Sequence, residues 1–134
     1  MNGGAMSGEY AEKGDLRERT MQLGLRVVRM YGALPKRDEA RILGRQVLRS
    51  GTSVGAHYRE ACRARSRAEF VSKMEGGAQE LDETLYWLEL LDRSGLVEAG
   101  RLGPLRTECE ELMSIFTASV RTAKRRRKKK GNDE

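Results

Sequence analysis

Cysteine, proline, histidine and aromatic residues are all scarce in this sequence, and each scarcity removes a class of protein. Two cysteines, Cys62 and Cys109, cannot supply the disulfide framework of a small secreted domain. They also lack C-x-x-C spacing and histidine partners, so buried thiols beside helix seams are expected for both. The one histidine, His57, has no glutamate three residues before it. That excludes the paired Glu-x-x-His motifs of di-metal carboxylate bundles. Two prolines and 5% aromatic content, without evenly spaced turn signals, argue against a sandwich or barrel. No run approaches the roughly 18 apolar residues of a membrane span. The opening MNGGAMSGEYAEKG is polar and glycine-rich, with no apolar segment of the signal-peptide kind. The cytoplasm is therefore the expected compartment. Glycine-rich phosphate loops, serine elbows and nucleophile–base pairs are missing too, so no catalytic residue, cofactor or metal ligand is expected.

What the sequence does have is charge and a regular apolar rhythm. Four segments repeat apolar or small residues at a mean spacing near 3.5, the pattern of helices facing a shared core. They run Leu16, Thr20, Leu23, Val27, Met30, Leu34; then Ala40, Leu43, Val47, Ser50, Val54, Tyr58, Ala61; then Phe70, Met74, Ala78, Leu81, Leu85, Leu88, Leu91; and last Leu102, Leu105, Cys109, Leu112, Phe116, Val120, Ala123. The punctuation agrees. Asp15 is placed to cap the first helix, and Gly32 and Pro35 separate it from the second. Ser66 and Glu69 form a capping box, and Gly95 closes the third helix. Gly103-Pro104 leaves the fourth helix's start open between Glu98 and Pro104. Short connections make successive helices antiparallel neighbours. The expected fold class is all-α, an antiparallel up-down-up-down four-helix bundle over residues 15–123. Residues 1–14 and 124–134 are expected to be disordered.

Helix two contains Ser50-Gly51-Thr52-Ser53-Val54-Gly55-Ala56, and helix three contains Gly76-Gly77-Ala78. Glycine costs about 0.8–1 kcal/mol against alanine inside a helix. With the turn centred near Arg65, positions summing to about 130 sit side by side, so Ser53 is expected to face Gly77 in a close backbone approach. A kink or loop is the alternative. The same register brings Arg49 beside Glu80 and Glu83.

The charge is segregated. Residues 124–130 read KRRRKKK; Arg17 to Arg67 holds 13 basic and 4 acidic residues, and Glu69 to Glu111 holds 4 basic and 11 acidic. The two halves should attract, within a subunit or between subunits. Arg37, Arg41 and Arg45 form a stripe suited to phosphates, with Arg59, Arg63 and Arg67 continuing it toward the turn. The run Lys124, Arg125, Arg126, Arg127, Lys128, Lys129, Lys130 should attract RNA or DNA without sequence preference. It has no apolar face for membrane anchorage. Tyr86-Trp87 could stack bases, although Trp87 beside a heptad seam fits an interface anchor.

The stretch RSGTSVGAHYREACRARSRAEF followed by KMEGGAQELDETLYWLELL carries a family resemblance. R-S-x-x-S-V-x-A-x-Y-R-E-A with Tyr58 at its centre, S-x-x-E-F, and E-x-D-E-T-x-Y-W-L together resemble the four helix bundle proteins first met as products of intervening sequences in large-subunit ribosomal RNA genes. The accessory variability determinant of diversity-generating retroelements looks like a relative. The similarity spans residues 15–122. It implies a four-helix protomer in a ring-like homo-oligomer, a homopentamer. It also implies association with nucleic acid or with a nucleic-acid enzyme such as a reverse transcriptase. His57 stands where the family usually has Asn, and Gly76-Gly77 is richer in glycine than the family pattern. The expected function is a non-catalytic oligomeric scaffold binding nucleic acid through basic helix surface and tail. The alternative is a protein adaptor for a nucleic-acid enzyme.

Overall fold

The computed structural model describes the backbone of residues 8–133 and the side chains of residues 16–126. Four helices follow in order: α1 Gly8–Ala33, α2 Asp38–Cys62, α3 Arg67–Arg93 and α4 Gly103–Asp133. Each packs on the next in sequence, α2 against α3 most extensively, while among the described residues α1 scarcely meets α4. Among the described residues there is no strand.

The seams read from the sequence are the core. Leu23, Val27, Val47, Val54, Leu81, Leu88, Leu91, Cys109, Leu112 and Phe116 are fully buried. On α3 the burial drifts off the strict heptad: Gly77 and Thr84 are buried, while Ala78 and Leu85 are only partly covered. A straight helix turns every 3.6 residues, so a 3.5 repeat slides around it and its neighbour takes over the seam.

The capping chemistry is local and sits where expected. Ser66 Oγ accepts the Glu69 N–H at 3.0 Å, and Glu69 Oε1 accepts the Arg65 N–H at 3.4 Å. Gly95 is left-handed, φ 77°, directly after the Ser94 cap of α3. α4 begins at Gly103, with the Arg106 N–H on the Leu102 carbonyl. Pro104 thus falls in the first turn, where its missing N–H costs nothing. α2 opens at Asp38, three residues beyond Pro35, with Asp38 and Glu39 in its first turn. The backbone N–H of Glu39, then Arg37 nearby, holds the Glu39 carboxyl below the usual range.

Both helical ends differ from the sequence expectation. α1 starts at Gly8, upstream of Asp15, and α4 carries its helix through Lys124–Lys130 to Asp133. Arginine and lysine have good helix propensity, and an already nucleated helix extends one residue at a time. The expectation of disorder for residues 1–7 and Glu134 lies outside the described residues. Cys62 is exposed near the end of α2; only Cys109 is the buried thiol expected of both.

The close approach is real in kind but has other partners. A methyl group on Gly77 would lie 2.5 and 2.9 Å from two ring carbons of Phe116 on α4 and 3.6 Å from His57 Cβ on α2, which come before any atom of Ser53. Ser53 is half-buried, and its hydroxyl donates to the Arg49 carbonyl at 2.7 Å. A methyl on Gly76 would lie 3.1 Å from the imidazole of His57, so the histidine and the glycine pair are one packing solution. Gly51 and Gly55 turn to α1 instead, against Val27 and Thr20. Between α2 and α3 the buried pair is Ser50 with Thr84, hydroxyls 2.7 Å apart. The inner layer therefore pairs positions one helical turn away from those expected. Tyr58 lies tilted on Phe116, centroids 6.0 Å apart, within this same layer.

Candidate nucleic-acid interface

The opposite charges of the two halves meet within one subunit. Arg49 bridges Glu80 at 3.4 Å and Glu83 at 2.5 Å. The hydrogen bond that Arg49 donates to Glu83 is the main reason that its guanidinium is raised above its usual pKa. Arg19 on α1 spans to Glu108 at 2.7 Å and Glu111 at 3.1 Å on α4. Lys73 meets Glu60 at 3.5 Å, and Arg106 meets Asp92 at 3.2 Å. Arg49, Glu80 and Glu83 thus pair across α2 and α3, at the register their spacing gave. Glu80 also lies 3.8 Å from His57 Nε2.

The remaining cations are the ones available to an outside partner, and the bundle sorts them to two ends. Arg37, Arg41 and Arg45 are exposed at the start of α2. Arg37 is engaged with Glu39 at 3.0 Å; Arg41 and Arg45 make no ion pair among the described residues. At the other end, Arg59, Arg63, Arg65 and Arg67 surround the α2–α3 turn, all exposed and likewise without ion pairs. At about 1.5 Å per residue, Arg37 and Arg59 stand about 33 Å apart.

The antiparallel topology brings the C-terminal run of α4 to that second end. Lys124 reaches Glu75 on α3 at 3.1 Å, which fixes the register: residues beyond Lys124 continue alongside the first turns of α3. Arg125 and Arg126 are exposed. The expected contacts of Arg127, Lys128, Lys129 and Lys130 lie outside the described side chains. The structure therefore directs the end of α4 toward the α2–α3 turn and away from Arg37, Arg41 and Arg45. Arg65 was not singled out in the sequence; the signal was there in the alternation Arg63, Arg65, Arg67 across a turn.

Trp87 is half-buried against the core with its indole N–H buried and unpartnered, and Tyr86 stands edge-on to it at 5.0 Å, 57% exposed. On α1, Met21, Leu25 and Val28 form an exposed apolar stripe facing away from the core. No described helix is long and apolar enough to cross a membrane, and no described group of three His, Cys, Asp or Glu residues could hold a metal.

Comparison with known proteins agrees with this architecture. No curated protein matches the chain. A crystallised protein of the S23 ribosomal protein family from Bacteroides thetaiotaomicron, itself of unknown function, is 30% identical. The match covers 81% of this chain and 97% of that one, with a TM-score of 0.76. Residues 12–118 match the family described as 23S rRNA-intervening sequence protein. Four sequential antiparallel helices, a likeness over most of both chains and a family match from α1 into α4 lead to one conclusion: the chain belongs to the 23S rRNA-intervening sequence protein family.

Proposed function

We propose that this protein is a non-catalytic, oligomeric scaffold that binds nucleic acid electrostatically through the basic end of its bundle. One observation carries the reading. Arg59, Arg63, Arg65 and Arg67, none ion-paired among the described residues, lie at the end of the molecule toward which α4 carries its run of seven basic residues. Guanidinium and ammonium groups in such density attract phosphates and release counterions, giving affinity with little sequence preference. Assembly is supported by the exposed apolar stripe Met21, Leu25 and Val28 on α1. A closed ring would repeat the basic end in every subunit, so that modest contacts combine through effective concentration.

Fluorescence anisotropy with a structured RNA and a duplex DNA tests the binding. A protomer engaging about six phosphates should lose roughly a thousandfold in affinity between 50 and 200 mM salt. Removing residues 124–134 should cut binding severely, and reversing Arg59, Arg63, Arg65 and Arg67 to Glu should deepen the loss. Reversing Arg37, Arg41 and Arg45 should matter much less. If binding followed those three arginines and ignored the other end, the assignment would be wrong. No binding at any salt would instead favour an adaptor for a nucleic-acid enzyme. Light scattering giving a mass of 15.1 kDa would remove the ring.

A further inference from the structure

A second cationic site lies away from the basic end. Between the end of α1 and the connection from α3 to α4 there is a cleft of about 410 Å³. It exists because α1 and α4 hardly touch, and because the α3–α4 connection spans residues 94–102 rather than a tight turn. Its floor is apolar: Leu34 and Val97 are partly buried and pack on the core, with Leu102 and Leu105 buried beneath. Its rim carries Arg26, Arg29 and Arg101 against a single carboxylate, Glu98.

None of these three arginines makes an ion pair among the described residues, although the bundle pairs Arg19, Arg49 and Arg106 with care. The first turn of α4, beside them, holds no acidic residue. Arg26 is half-buried, so its charge is partly withdrawn from water without an ion pair among the described residues. An anion would supply that compensation, and the floor would cover an apolar body attached to it. The volume falls within the usual range of small-molecule sites, roughly 300–1,000 Å³.

We infer that this cleft binds a small amphipathic anion, its charged head on Arg26, Arg29 and Arg101 and its apolar body on Leu34, Val97 and Leu105. Head and floor are both required. Phosphate alone lacks the body, and a neutral chain leaves the guanidinium groups unpaired. The site is independent of nucleic-acid binding, because it lies at the opposite end of α4 from the basic run.

The experiment is calorimetric titration of the full chain with octanoate, 1-octanol and inorganic phosphate at low salt. One octanoate should bind per protomer, and the other two should bind at least about tenfold more weakly, since a charge-assisted contact contributes about 1.5–3 kcal/mol. Replacing Arg26 and Arg101 together by Ala should cost octanoate about tenfold or more. Val97→Trp, in the connection rather than in a helix, should block it with the helical circular dichroism unchanged. The inference is overturned by equal affinity for octanol and octanoate, or by undiminished binding in the Arg26, Arg101 double variant. It is equally overturned by absence of octanoate binding, or by binding that disappears with residues 124–130 instead.

Discussion

Replacing Gly77 by Ala should destabilise the bundle relative to the same change at Gly24, and the size of the gap follows from the packing. Both glycines are interior to helices, so alanine at either gains about 0.8–1 kcal/mol of helix propensity. At Gly24 a methyl group meets nothing within 4 Å, and the gain stands. At Gly77 it would press on Phe116, 2.5 Å from Cε2 and 2.9 Å from Cδ2, where carbons ordinarily rest about 3.5–4 Å apart. The ring must retreat about 1 Å, yet Phe116 is fully buried and leans on Tyr58. Overpacking of this kind costs about 1–3 kcal/mol, so the two alanine variants should differ by about that amount. Urea unfolding monitored by circular dichroism, at equal protomer concentration, measures it. The double variant Gly77→Ala, Phe116→Leu should lose less than the sum of the single losses, because the smaller side chain yields the space. Equal stability of Gly77→Ala and Gly24→Ala would refute the close packing of α3 on α4.

Cys62 should react with Ellman's reagent in the native protein while Cys109 does not, giving one thiol per protomer folded and two unfolded. Burial pushes the Cys109 thiol up to about 12 from an ordinary 9.0. Its contribution to stability is therefore whole below pH 9 and declines between pH 9 and 12, where the unfolded chain ionises first; Cys109→Ala should lessen the alkaline loss of stability. Ser50→Ala should cost about 1 kcal/mol in urea unfolding, and Ser50→Ala with Thr84→Val less than the two changes summed, since removing both hydroxyls leaves no orphan. Arg49→Ala should cost under about 1 kcal/mol, because its bridges are largely exposed, and the cost should shrink as salt is added.

The legible features were those set by local chemistry or by outward-facing pairs. Ser66 and Gly95 could be placed from sequence because a cap needs only its own few residues. Arg49 with Glu80 and Glu83 was legible because long side chains tolerate an error of one turn. Short residues do not tolerate it, and there the reading failed. Spacing sets Ser53 against Gly77, whereas Gly77 receives a ring from α4, and the buried serine bonded to α3 is Ser50. A pairwise register between α2 and α3 says nothing about which side chain a third helix inserts. Nor could spacing alone separate Arg37, Arg41 and Arg45 from the tail, because only the antiparallel packing sends α4 back to the α2–α3 turn. The cleft was illegible for the same reason: Arg26 and Arg101 are far apart in the chain and meet only through the gap between α1 and α4.

That gap has a kinetic counterpart. Among the described residues, α1 is held along one flank by α2, and on its α4 side the ion pairs of Arg19 with Glu108 and Glu111 tie it. Detaching it would uncover Leu23 and Val27 while leaving α2 packed on α3 and α3 on α4. In native-state deuterium exchange the amides of α1 should therefore open as a group ahead of those of α2 and α3, at a free energy below that of global unfolding.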